Sequence, residues 1–405
     1  MSARKMSVRD LDVDGKRVFL RVDFNVPLEQ GAITDDTRVR ASLPTLGLLL
    51  ERGARVIAAS HLGRPKGKPS PAFSLKPVAA RLGALLHRTV AMAEDCVGPA
   101  VEARARDLAP GGVLLLENLR FHPEEEKNDD VFATRLASLA ERYVDDAFGA
   151  AHRAHASVAA ITRHLHPAAA GLLMDQELSA LGRLRDFPDK PYVALLGGAK
   201  VSDKIALVER LIDRADAILI GGAMAYTFLK AAGVAVGGSR VEADRIEAAR
   251  TILERARARS VRIVLPVDHV VAPTPGAGAA HQTTPGASIP EGLLGLDVGP
   301  RTRAAFAAEI AAARTIFWNG PLGLFETAPY DEGTLAAAQA IAATTCFSVV
   351  GGGDSVAAVT RLGLAGRFSH VSTGGGASLE YLSGLELPGV AALADAPASS
   401  PGGGR

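Results

Sequence analysis

Residues 197–205 read GGAKVSDKI and follow the apolar run YVALL at 192–196. Glycines after a buried strand let a ligand approach the backbone, and two lysines four positions apart, Lys200 and Lys204, could neutralise phosphate oxygens. The Walker phosphate-binding loop needs Gly-Lys followed by Ser or Thr, and the chain contains neither GKS nor GKT. The segment therefore predicts a phosphate site of a different kind.

Arginine and histidine residues follow four successive predicted strands in the first half of the chain. The stretches are RVDFNVP (21–27), SHLGRP (60–65), ENLRF (117–121) and FGAAHRAH (148–155), and Arg38 follows the first of them in TDDTR. Ligands of an open parallel sheet bind at the carboxyl ends of its strands, and guanidinium groups match carboxylate and phosphate oxygens. These residues predict a pocket for a small molecule with several negative charges.

Each of these side chains also has a simpler interpretation. A single arginine is more often a solvated surface residue, and His61, His152 and His155 could be buried and neutral or hydrogen-bonded to the backbone. A metal site among them is not favoured, because the nearby carboxylates lack a ligand spacing such as H-E-x-x-H. The recurrence at four strand ends is what favours the anion pocket.

Glycine-rich turns follow the strands of the second half. They are Gly197-Gly198, Gly221-Gly222, Gly320 to Gly323, Gly351 to Gly353 and Gly374 to Gly376. Backbone N–H groups at a following helix N-terminus bind phosphate well, so the set indicates a nucleotide, although any one pair is equally an ordinary turn. Asp354 is a helix N-cap, a Mg²⁺ ligand beside the phosphates, or both. The dinucleotide fingerprint G-x-G-x-x-G is absent, which argues against a nicotinamide enzyme.

The elements that must position these residues alternate between strands and helices. Short apolar runs predict strands at 17–23, 55–59, 113–116, 143–145, 192–196, 217–220, 261–267, 315–318, 347–350 and 370–372. Helical patterns occupy 75–86, 130–142, 204–215, 245–257 and 334–344. Continuous apolar strands that alternate with helices argue for parallel sheets covered on both faces. The predicted fold class is α/β.

The alternation pauses near 164–167, and residues 171–186 then place apolar residues at helical spacing. We interpret 171–186 as a linking helix between a domain at 1–170 and a second domain at 187–384, with 385–405 as a C-terminal segment. The loop 274–290 and the tail from 394 are rich in Pro, Gly, Ser and Ala. We predict that both are mobile and assign them no chemistry.

Composition limits the classes of protein that remain. The 405 residues suffice for two or three domains, and 45 basic against 44 acidic residues give no reason to expect nucleic acid or an anionic membrane as partner. Cys96 and Cys346 lie far apart, which fits a reduced, cytoplasmic compartment. We expect neither a signal peptide nor a membrane span, because charged residues interrupt the apolar stretches.

Eight segments occur in the order and approximate spacing of one known family. They are RVDFNVP, HLGRP, LENLRF, AFGAAHRAHAS, GGAKVSDKI, NGPLGLFE, GGGDSVAAV and STGGGASLEYL, within a match from about Val8 to Val390. In these segments the chain resembles phosphoglycerate kinase of the bacterial type. The resemblance implies two Rossmann-like domains joined by a linking helix, with the C-terminal segment packing back on the N-terminal domain. It also implies a glycolytic enzyme that, by hinge closure, transfers a phosphoryl group reversibly between 1,3-bisphosphoglycerate and Mg-ADP, giving 3-phosphoglycerate and Mg-ATP.

The resemblance also implies the site residues. The phosphoglycerate site would contain Asp23, Phe24, Asn25, Arg38, His61, Leu62, Gly63, Arg64, Arg120 and Arg153, with Arg21 and His152 in support. The nucleotide site would contain Lys200, Lys204, Glu326 near the ribose, Gly352, Gly353, Asp354 and Ser355, with adenine among the glycine turns after Leu196 and Ile220 and Mg²⁺ at Asp354. Catalysis would depend on Arg38, Lys204, Lys200, Gly374 and Gly375.

Departures from the family pattern are small: Ser355 stands where threonine is common, and Tyr381 replaces a usual leucine. Two alternatives remain at this point. A kinase for another small carboxylate should lose some of the arginines, and a non-catalytic nucleotide-binding derivative should lose Lys204, Arg38 or Asp354, yet all of these are present. We expect a cytoplasmic monomer whose partners are its small-molecule substrates, with Mg²⁺ accompanying the nucleotide.

Overall fold

A computed structural model describes residues 4–396 of the chain. Within that range the chain forms two compact units. The N-terminal unit contains residues 4–178 and 386–396, and the C-terminal unit contains Ser179–Leu385. None of the helices in the described range is long and apolar enough to cross a membrane.

The N-terminal unit is built on a parallel sheet of six strands. In spatial order these are Val90–Met92, Val113–Leu115, Arg55–Ala59, Arg17–Arg21, Arg142–Asp145 and Ala168–Ala170. Because all six run the same way, their carboxyl ends lie along one edge of the sheet. A separate two-stranded hairpin, Leu28–Glu29 with Ala32–Ile33, follows the first strand.

The C-terminal unit has a second parallel sheet of six strands. Their spatial order is Arg262–Val264, Ala217–Ile220, Tyr192–Leu196, Thr315–Asn319, Phe347–Gly351 and His370–Val371. An antiparallel sheet of three strands accompanies it, in the order Gln282–Thr283, His269–Ala272 and Leu294–Val298. The two parallel sheets confirm the predicted α/β class.

The central strands are buried along their whole length, which explains their uninterrupted apolar sequences. Every residue of Tyr192–Leu196 and of Ala217–Ile220 is buried. In the N-terminal unit the strands contribute to a core that includes Val18, Leu20 and Val56. Apolar residues on both faces of a strand are what a sheet covered by helices on both sides requires.

Helices cover these sheets. The described helices are Thr37–Ala41, Leu43–Glu51, Lys76–Leu86, Pro99–Arg106, Pro123–Glu126, Asp130–Ala137, Leu172–Asp186, Ile205–Leu211, Met224–Ala231, Ile246–Ala258, Pro300–Ala312, Glu332–Ala342, Gly353–Arg361, Gly376–Leu382 and Pro388–Ala391. Ile246–Ala258 shows how they pack, since it buries Ala249, Ile252, Leu253 and Ala256, which share one helical face. The helix predicted at 130–142 ends at Ala137, because the next strand already begins at Arg142.

The predicted linking helix is present as Leu172–Asp186. Its first turn is held by a buried carboxylate, since Oδ1 of Asp146 accepts hydrogen bonds from the backbone N–H groups of Leu173 (2.9 Å) and Met174 (3.2 Å). The boundary between the two units falls inside this helix, between Leu178 and Ser179.

The C-terminal segment returns to the N-terminal unit, as the resemblance implied. The N–H of Gly389 donates to the carbonyl of Ala151 at 2.8 Å, and the N–H of Ala394 donates to Ala168 at 2.9 Å. The N–H of Met6 in turn donates to Ala394 at 2.8 Å, so both ends of the described chain add to the edge of one sheet. The tail that was predicted to be mobile lies outside the described residues from 397 onward.

The loop at 274–290, also predicted to be mobile, contains the short edge strand Gln282–Thr283. Two contacts fasten its end, because the side chain of His269 is 3.0 Å from the carbonyl of Ala287 and the hydroxyl of Thr284 donates to Gly286 at 2.6 Å. Sequence patterns did not predict the antiparallel sheet. Two of its three strands, Gln282–Thr283 and Leu294–Val298, lie in stretches without a strong alternation of apolar and polar residues.

Candidate active site

At the carboxyl end of the strand Arg17–Arg21, an aspartate and an arginine form an ion pair. Nη1 of Arg38 lies 2.6 Å from Oδ2 of Asp23. The other oxygen of Asp23, Oδ1, accepts from the N–H of Asn25 at 3.1 Å. The carboxylate of Asp23 therefore stabilises the backbone turn that follows it and also orients the guanidinium of Arg38. About a third of the Arg38 side chain is exposed, against a tenth of Asp23. The pair therefore presents a fixed cationic group at the edge of the sheet.

The loop after the strand Arg55–Ala59 lies against this turn. The N–H of Gly63 donates to Oδ1 of Asn25 at 2.8 Å, and Nη1 of Arg120 donates to the carbonyl of Gly63 at 2.9 Å. Gly63 has a positive φ of +61°, and a Cβ there would come within 2.4 Å of the ring of Phe73. The site therefore needs glycine at 63 for both backbone conformation and space.

Asn118 holds the same loop in place. Its Oδ1 accepts from the N–H of Leu62 at 3.2 Å and from that of Arg120 at 3.0 Å, and its Nδ2 donates to the carbonyl of Leu62 at 2.7 Å. Asn118 lies within the segment LENLRF, but the sequence pattern alone predicts no role for it. A side chain that serves backbone groups of a distant loop has no local sequence signal, which is why it was missed.

Beneath these groups lies a buried arginine beside a buried histidine. Arg21 has no exposed surface, and its Nη2 is 3.2 Å from Nδ1 of His61. Burial lowers the pKa of His61 well below its usual value, and the cations Arg21, Arg120 and Arg38 lower it further. His61 is therefore neutral at physiological pH.

The remaining predicted arginines differ in exposure. Arg120 is buried, and burial lowers its pKa from the usual value, with Glu126 opposing and Arg21 adding to the shift. Arg64 and Arg153 are exposed. The cationic groups that influence His61 and Arg120 electrostatically thus include Arg21, Arg38 and Arg153, which shows that the structure brings most of the predicted set together.

In the C-terminal unit the ammonium group of Lys204 is buried at the ends of two adjacent strands. Nζ donates to the carbonyls of Gly197 (2.5 Å) and Asn319 (2.9 Å). Burial lowers the pKa of Lys204 to about 8, while Asp203 and Asp354 oppose the shift. A Cβ at Gly320 would lie 2.6 Å from Nζ, so glycine leaves room for this ammonium. An ammonium has three protons, and two are directed to these carbonyls.

Asp354 lies near Lys204 and near a second carboxylate, Glu326. Partial desolvation raises the pKa of Asp354, and the negative charge of Glu326 raises it further, while Lys204 opposes both. The N-cap of the helix Gly353–Arg361 is Gly352, so Asp354 stands at the second helical position and the N-cap interpretation of Asp354 is wrong. An added cation would relieve the repulsion between the two carboxylates, so these residues fit a divalent metal ion.

Ser355 and the glycines around it shape the turn. The buried Oγ of Ser355 accepts from the N–H of Gly320 at 2.7 Å, which joins the ends of two neighbouring strands. Gly352 has φ of +91°, and Gly375, which precedes the helix Gly376–Leu382, has φ of +55°. Lys200 is exposed, in contrast to Lys204.

A cavity of about 470 Å³ opens beside these turns. Its lining combines glycine turns, apolar side chains and the two carboxylates, and includes Gly198, Gly222, Tyr226, Leu294, Leu296, Pro321, Leu324, Glu326 and Asp354. The turns after Leu196 and Ile220 were predicted to surround a base, and they do line this cavity. Neither Tyr226, on the helix Met224–Ala231, nor the strand Leu294–Val298 was predicted to line the site. The strand belongs to the antiparallel sheet that the sequence patterns missed.

Comparisons with known proteins identify the family of the chain. The phosphoglycerate kinase family model matches residues 8–385. A phosphoglycerate kinase of Anaeromyxobacter sp. (strain K) is 58% identical over 385 residues, covering 94% of this chain and 97% of that protein. The chain belongs to the phosphoglycerate kinase family. That of Moorella thermoacetica is 54% identical over 96% of this chain and 99% of that protein.

Solved structures give the same result for the fold. The phosphoglycerate kinase of Coxiella burnetii superposes with a TM-score of 0.87 at 41% identity, over 96% of this chain and 98% of that one. That of Pyrococcus horikoshii OT3 gives 0.85 at 34% identity, over the same shares. Membership of the phosphoglycerate kinase family makes this chain a phosphotransferase with a carboxyl group as acceptor. Its function is that of a glycolytic phosphoglycerate kinase, and neither a kinase for another small carboxylate nor a non-catalytic derivative is favoured.

Proposed function

We propose that this enzyme transfers a phosphoryl group reversibly between 1,3-bisphosphoglycerate and Mg-ADP, with the phosphoglycerate on the N-terminal unit and the nucleotide on the C-terminal unit. The observation that carries the assignment is the cluster of cationic side chains at the carboxyl edge of the N-terminal sheet. Arg38, Arg120 and the buried Arg21 all act on His61, which is the environment a multiply anionic ligand needs.

On the phosphoglycerate side, the exposed Arg64 and Arg153 and the anchored Arg120 would bind phosphate and carboxylate oxygens. Asn25 and Gly63 are already hydrogen-bonded to each other, so they would fix the shape of the pocket. His61 is neutral and would donate a hydrogen bond. We assign Asp23, Phe24 and Leu62 to holding these groups, since Phe24 and Leu62 are buried and Asp23 pairs with Arg38.

On the nucleotide side, the 470 Å³ cavity would accept the base and Glu326 would lie near the ribose. The turn formed by Gly352, Gly353, Asp354 and Ser355, together with Lys200, would serve the phosphate chain. Gly374 and Gly375 would present backbone N–H groups to the transferring group. The third proton of the Lys204 ammonium is the one we assign to a phosphate oxygen.

We propose that Mg²⁺ accompanies the nucleotide at Asp354. When bound, the ion would neutralise charge on the phosphate oxygens. The residues of the chain fit this role, because Asp354 lies close enough to Glu326 for repulsion to raise its pKa. We further propose that the enzyme is a cytoplasmic monomer.

Transfer from an acyl phosphate needs no covalent enzyme intermediate and no strong base, because the attacking oxygen is already ionised. The work of the protein is to align the groups and to stabilise charge on the equatorial oxygens. We assign that stabilisation to Arg38 and Lys204, with Lys200 in support. Because we place donor and acceptor on different units, we propose that the units close during turnover, which would also exclude water.

A coupled assay with 3-phosphoglycerate and Mg-ATP tests the proposal. We expect turnover with 3-phosphoglycerate and at least a hundredfold lower kcat/KM with glycerate, which lacks the phosphate that the arginines would bind. Equal activity with glycerate or acetate would favour a kinase for another carboxylate. Absence of turnover, with normal nucleotide binding, would contradict the proposed function itself.

A further inference from the structure

A buried carboxylate lies behind the proposed phosphoglycerate site. Glu125 belongs to the short helix Pro123–Glu126 and has no exposed surface. Its Oε1 accepts from the hydroxyl of Ser157 at 2.6 Å, and its Oε2 accepts from the N–H of Ser157 at 2.9 Å. The carbonyl of Glu125 also accepts from the N–H of Ala156 at 2.9 Å. Glu125 therefore fixes both the backbone and the side chain of residue 157.

Ser157 connects Glu125 to the buried Arg21 by hydrogen bonds. The hydroxyl has a single proton, which it donates to Glu125, so its oxygen is left to accept from Nε of Arg21 at 2.9 Å. Nη1 of Arg21 donates to the carbonyl of Val22 at 2.5 Å, and Nη2 points to Nδ1 of His61 at 3.2 Å. Each nitrogen of the guanidinium thus has a defined partner, which sets the plane of the group.

The contact between Nη2 of Arg21 and Nδ1 of His61 determines the tautomer of the histidine. A guanidinium can only donate hydrogen bonds, so Nδ1 of His61 must accept and therefore carries no proton. A neutral imidazole then has its proton on Nε2. His61 is neutral, as its burial requires, so Nε2 is the one donor that the ring can offer to a ligand.

The negative charge of Glu125 is balanced by nearby arginine side chains. Burial raises the pKa of Glu125, while Arg21 and the hydrogen bonds from Ser157 oppose the shift. Both oxygens accept hydrogen bonds, which is the pattern of an ionised carboxylate. His155 is 3.9 Å away, but burial lowers its pKa to about 3 and leaves it neutral. Arg21 is therefore the main counter-charge of Glu125, and Arg120 adds a smaller contribution.

We infer that Glu125 is a positioning residue for the phosphotransfer site: through Ser157 and Arg21 it holds His61 in the tautomer that donates from Nε2. This inference rests on the proposed function, in which His61 binds phosphoglycerate. Glu125 itself touches neither the substrate groups nor the reacting atoms. Its effect is to make His61 a hydrogen-bond donor before the substrate arrives.

The first measurement is the tautomer of His61 in the full chain, by ¹⁵N NMR of labelled histidine, with His61→Gln to assign the signal. We expect the proton on Nε2 in the unaltered protein. Glu125→Gln replaces one of the two accepting oxygens by an NH₂ group, which cannot accept a hydrogen bond from Ser157. Ser157→Ala removes the hydroxyl that joins Glu125 to Arg21. Both variants should show a mixture of the two tautomers.

The second measurement is ligand binding by the same proteins. We expect Glu125→Gln and Ser157→Ala each to weaken 3-phosphoglycerate binding on the order of tenfold, the scale of one hydrogen bond, and to leave binary nucleotide affinity unchanged. The double variant should be no worse than either single one, because the two residues act in series. Glu124→Gln, a neighbour on the same helix, is the matched control and should change neither readout.

The outcomes separate the inference from the function on which it rests. If His61→Gln does not weaken phosphoglycerate binding, the proposed role of His61 is wrong. If it does, but His61 has its proton on Nδ1 or keeps one tautomer in both Glu125→Gln and Ser157→Ala, the inference alone is wrong. A Glu125→Gln protein that does not fold leaves Ser157→Ala to decide.

Discussion

The guanidinium of Arg38 is held by the carboxylate of Asp23, with Nη1 and Oδ2 2.6 Å apart, at the edge of the N-terminal sheet. The contact leaves the rest of the guanidinium available to a ligand. We expect Arg38→Ala to lower kcat on the order of 10³-fold, the scale for removing a cation that stabilises phosphoryl transfer, and to change phosphoglycerate affinity less. Steady-state kinetics with both substrates varied would measure this.

Asp23→Asn supplies the matched comparison for that prediction, because it keeps Arg38 and removes the charge that orients it. We expect a smaller loss of kcat than in Arg38→Ala. A normal kcat with a raised KM in Arg38→Ala would instead reassign Arg38 to ground-state binding.

Asp354 allows a test of metal binding against a purely structural role in the first turn of its helix. An exposed carboxylate in the first turn typically contributes only about 0.3–1 kcal/mol through the helix dipole, so a purely structural Asp354 should tolerate Asp354→Asn. We expect this variant to lose activity and to need more Mg²⁺, with little change in Tm, because Glu326 alone would remain of the carboxylate pair. Activity titrated against Mg²⁺ would measure the effect, and an unaltered Mg²⁺ requirement would remove Asp354 from the metal site.

The lowered pKa of Lys204 predicts a loss of activity in alkaline solution. Burial lowers the pKa of its ammonium to about 8, so the group is charged below that pH and neutral above it. We expect kcat/KM to fall as pH rises through about 8. Bound nucleotide phosphates favour the charged form, so the corresponding fall in kcat should occur at higher pH.

The Lys204→Arg variant is the control for this pH profile, since a guanidinium stays charged throughout the range. Whatever activity it retains should lack the alkaline fall. If the kcat/KM of the unaltered enzyme stays level to pH 10, the titrating group does not govern catalysis.

Arg64 and Arg120 test which unit holds which ligand. We expect Arg64→Ala and Arg120→Ala to weaken 3-phosphoglycerate binding, with each lost charged hydrogen bond costing about 1.5–3 kcal/mol, and to leave nucleotide affinity unchanged. Arg250→Ala, an exposed arginine on the helix Ile246–Ala258, should alter neither. Calorimetric titration would decide, and an arginine variant that is folded yet binds no nucleotide would mean that the sites are assigned to the wrong units.

Buried strands and the residues at their ends were the most predictable features. Runs such as YVALL and AILI are apolar without interruption because both faces of the strand are covered, and the structure places strands at Tyr192–Leu196 and Ala217–Ile220. The placement of Asp23 and Lys204 near strand ends followed from the same reasoning. Arg38 lies on the helix Thr37–Ala41 and reaches the end of its strand through Asp23. Helix ends were less certain, as the early end at Ala137 shows.

Features that depend on distant parts of the chain could not be predicted in this way. Asn118 serves the backbone of Leu62, and Glu125 serves Ser157, so their roles depend on tertiary contacts and not on local spacing. The difference between the buried Lys204 and the exposed Lys200 has the same origin, since both lysines stand in one short loop. Sequence patterns indicated the cationic and glycine-rich segments that we propose to bind the ligands, and the fold supplied the residues that orient those segments.

Because the N-terminal unit includes residues 386–396, which follow the whole C-terminal unit in the sequence, its assembly has an order imposed by synthesis. The ribosome must add about 200 further residues after Leu178 before that segment exists, which takes on the order of 10–40 s at typical translation rates. The C-terminal unit, although it begins second, is the first for which every residue has been made. The nascent chain therefore carries a complete C-terminal unit while the edge strand Ala168–Ala170 still lacks its bond from Ala394.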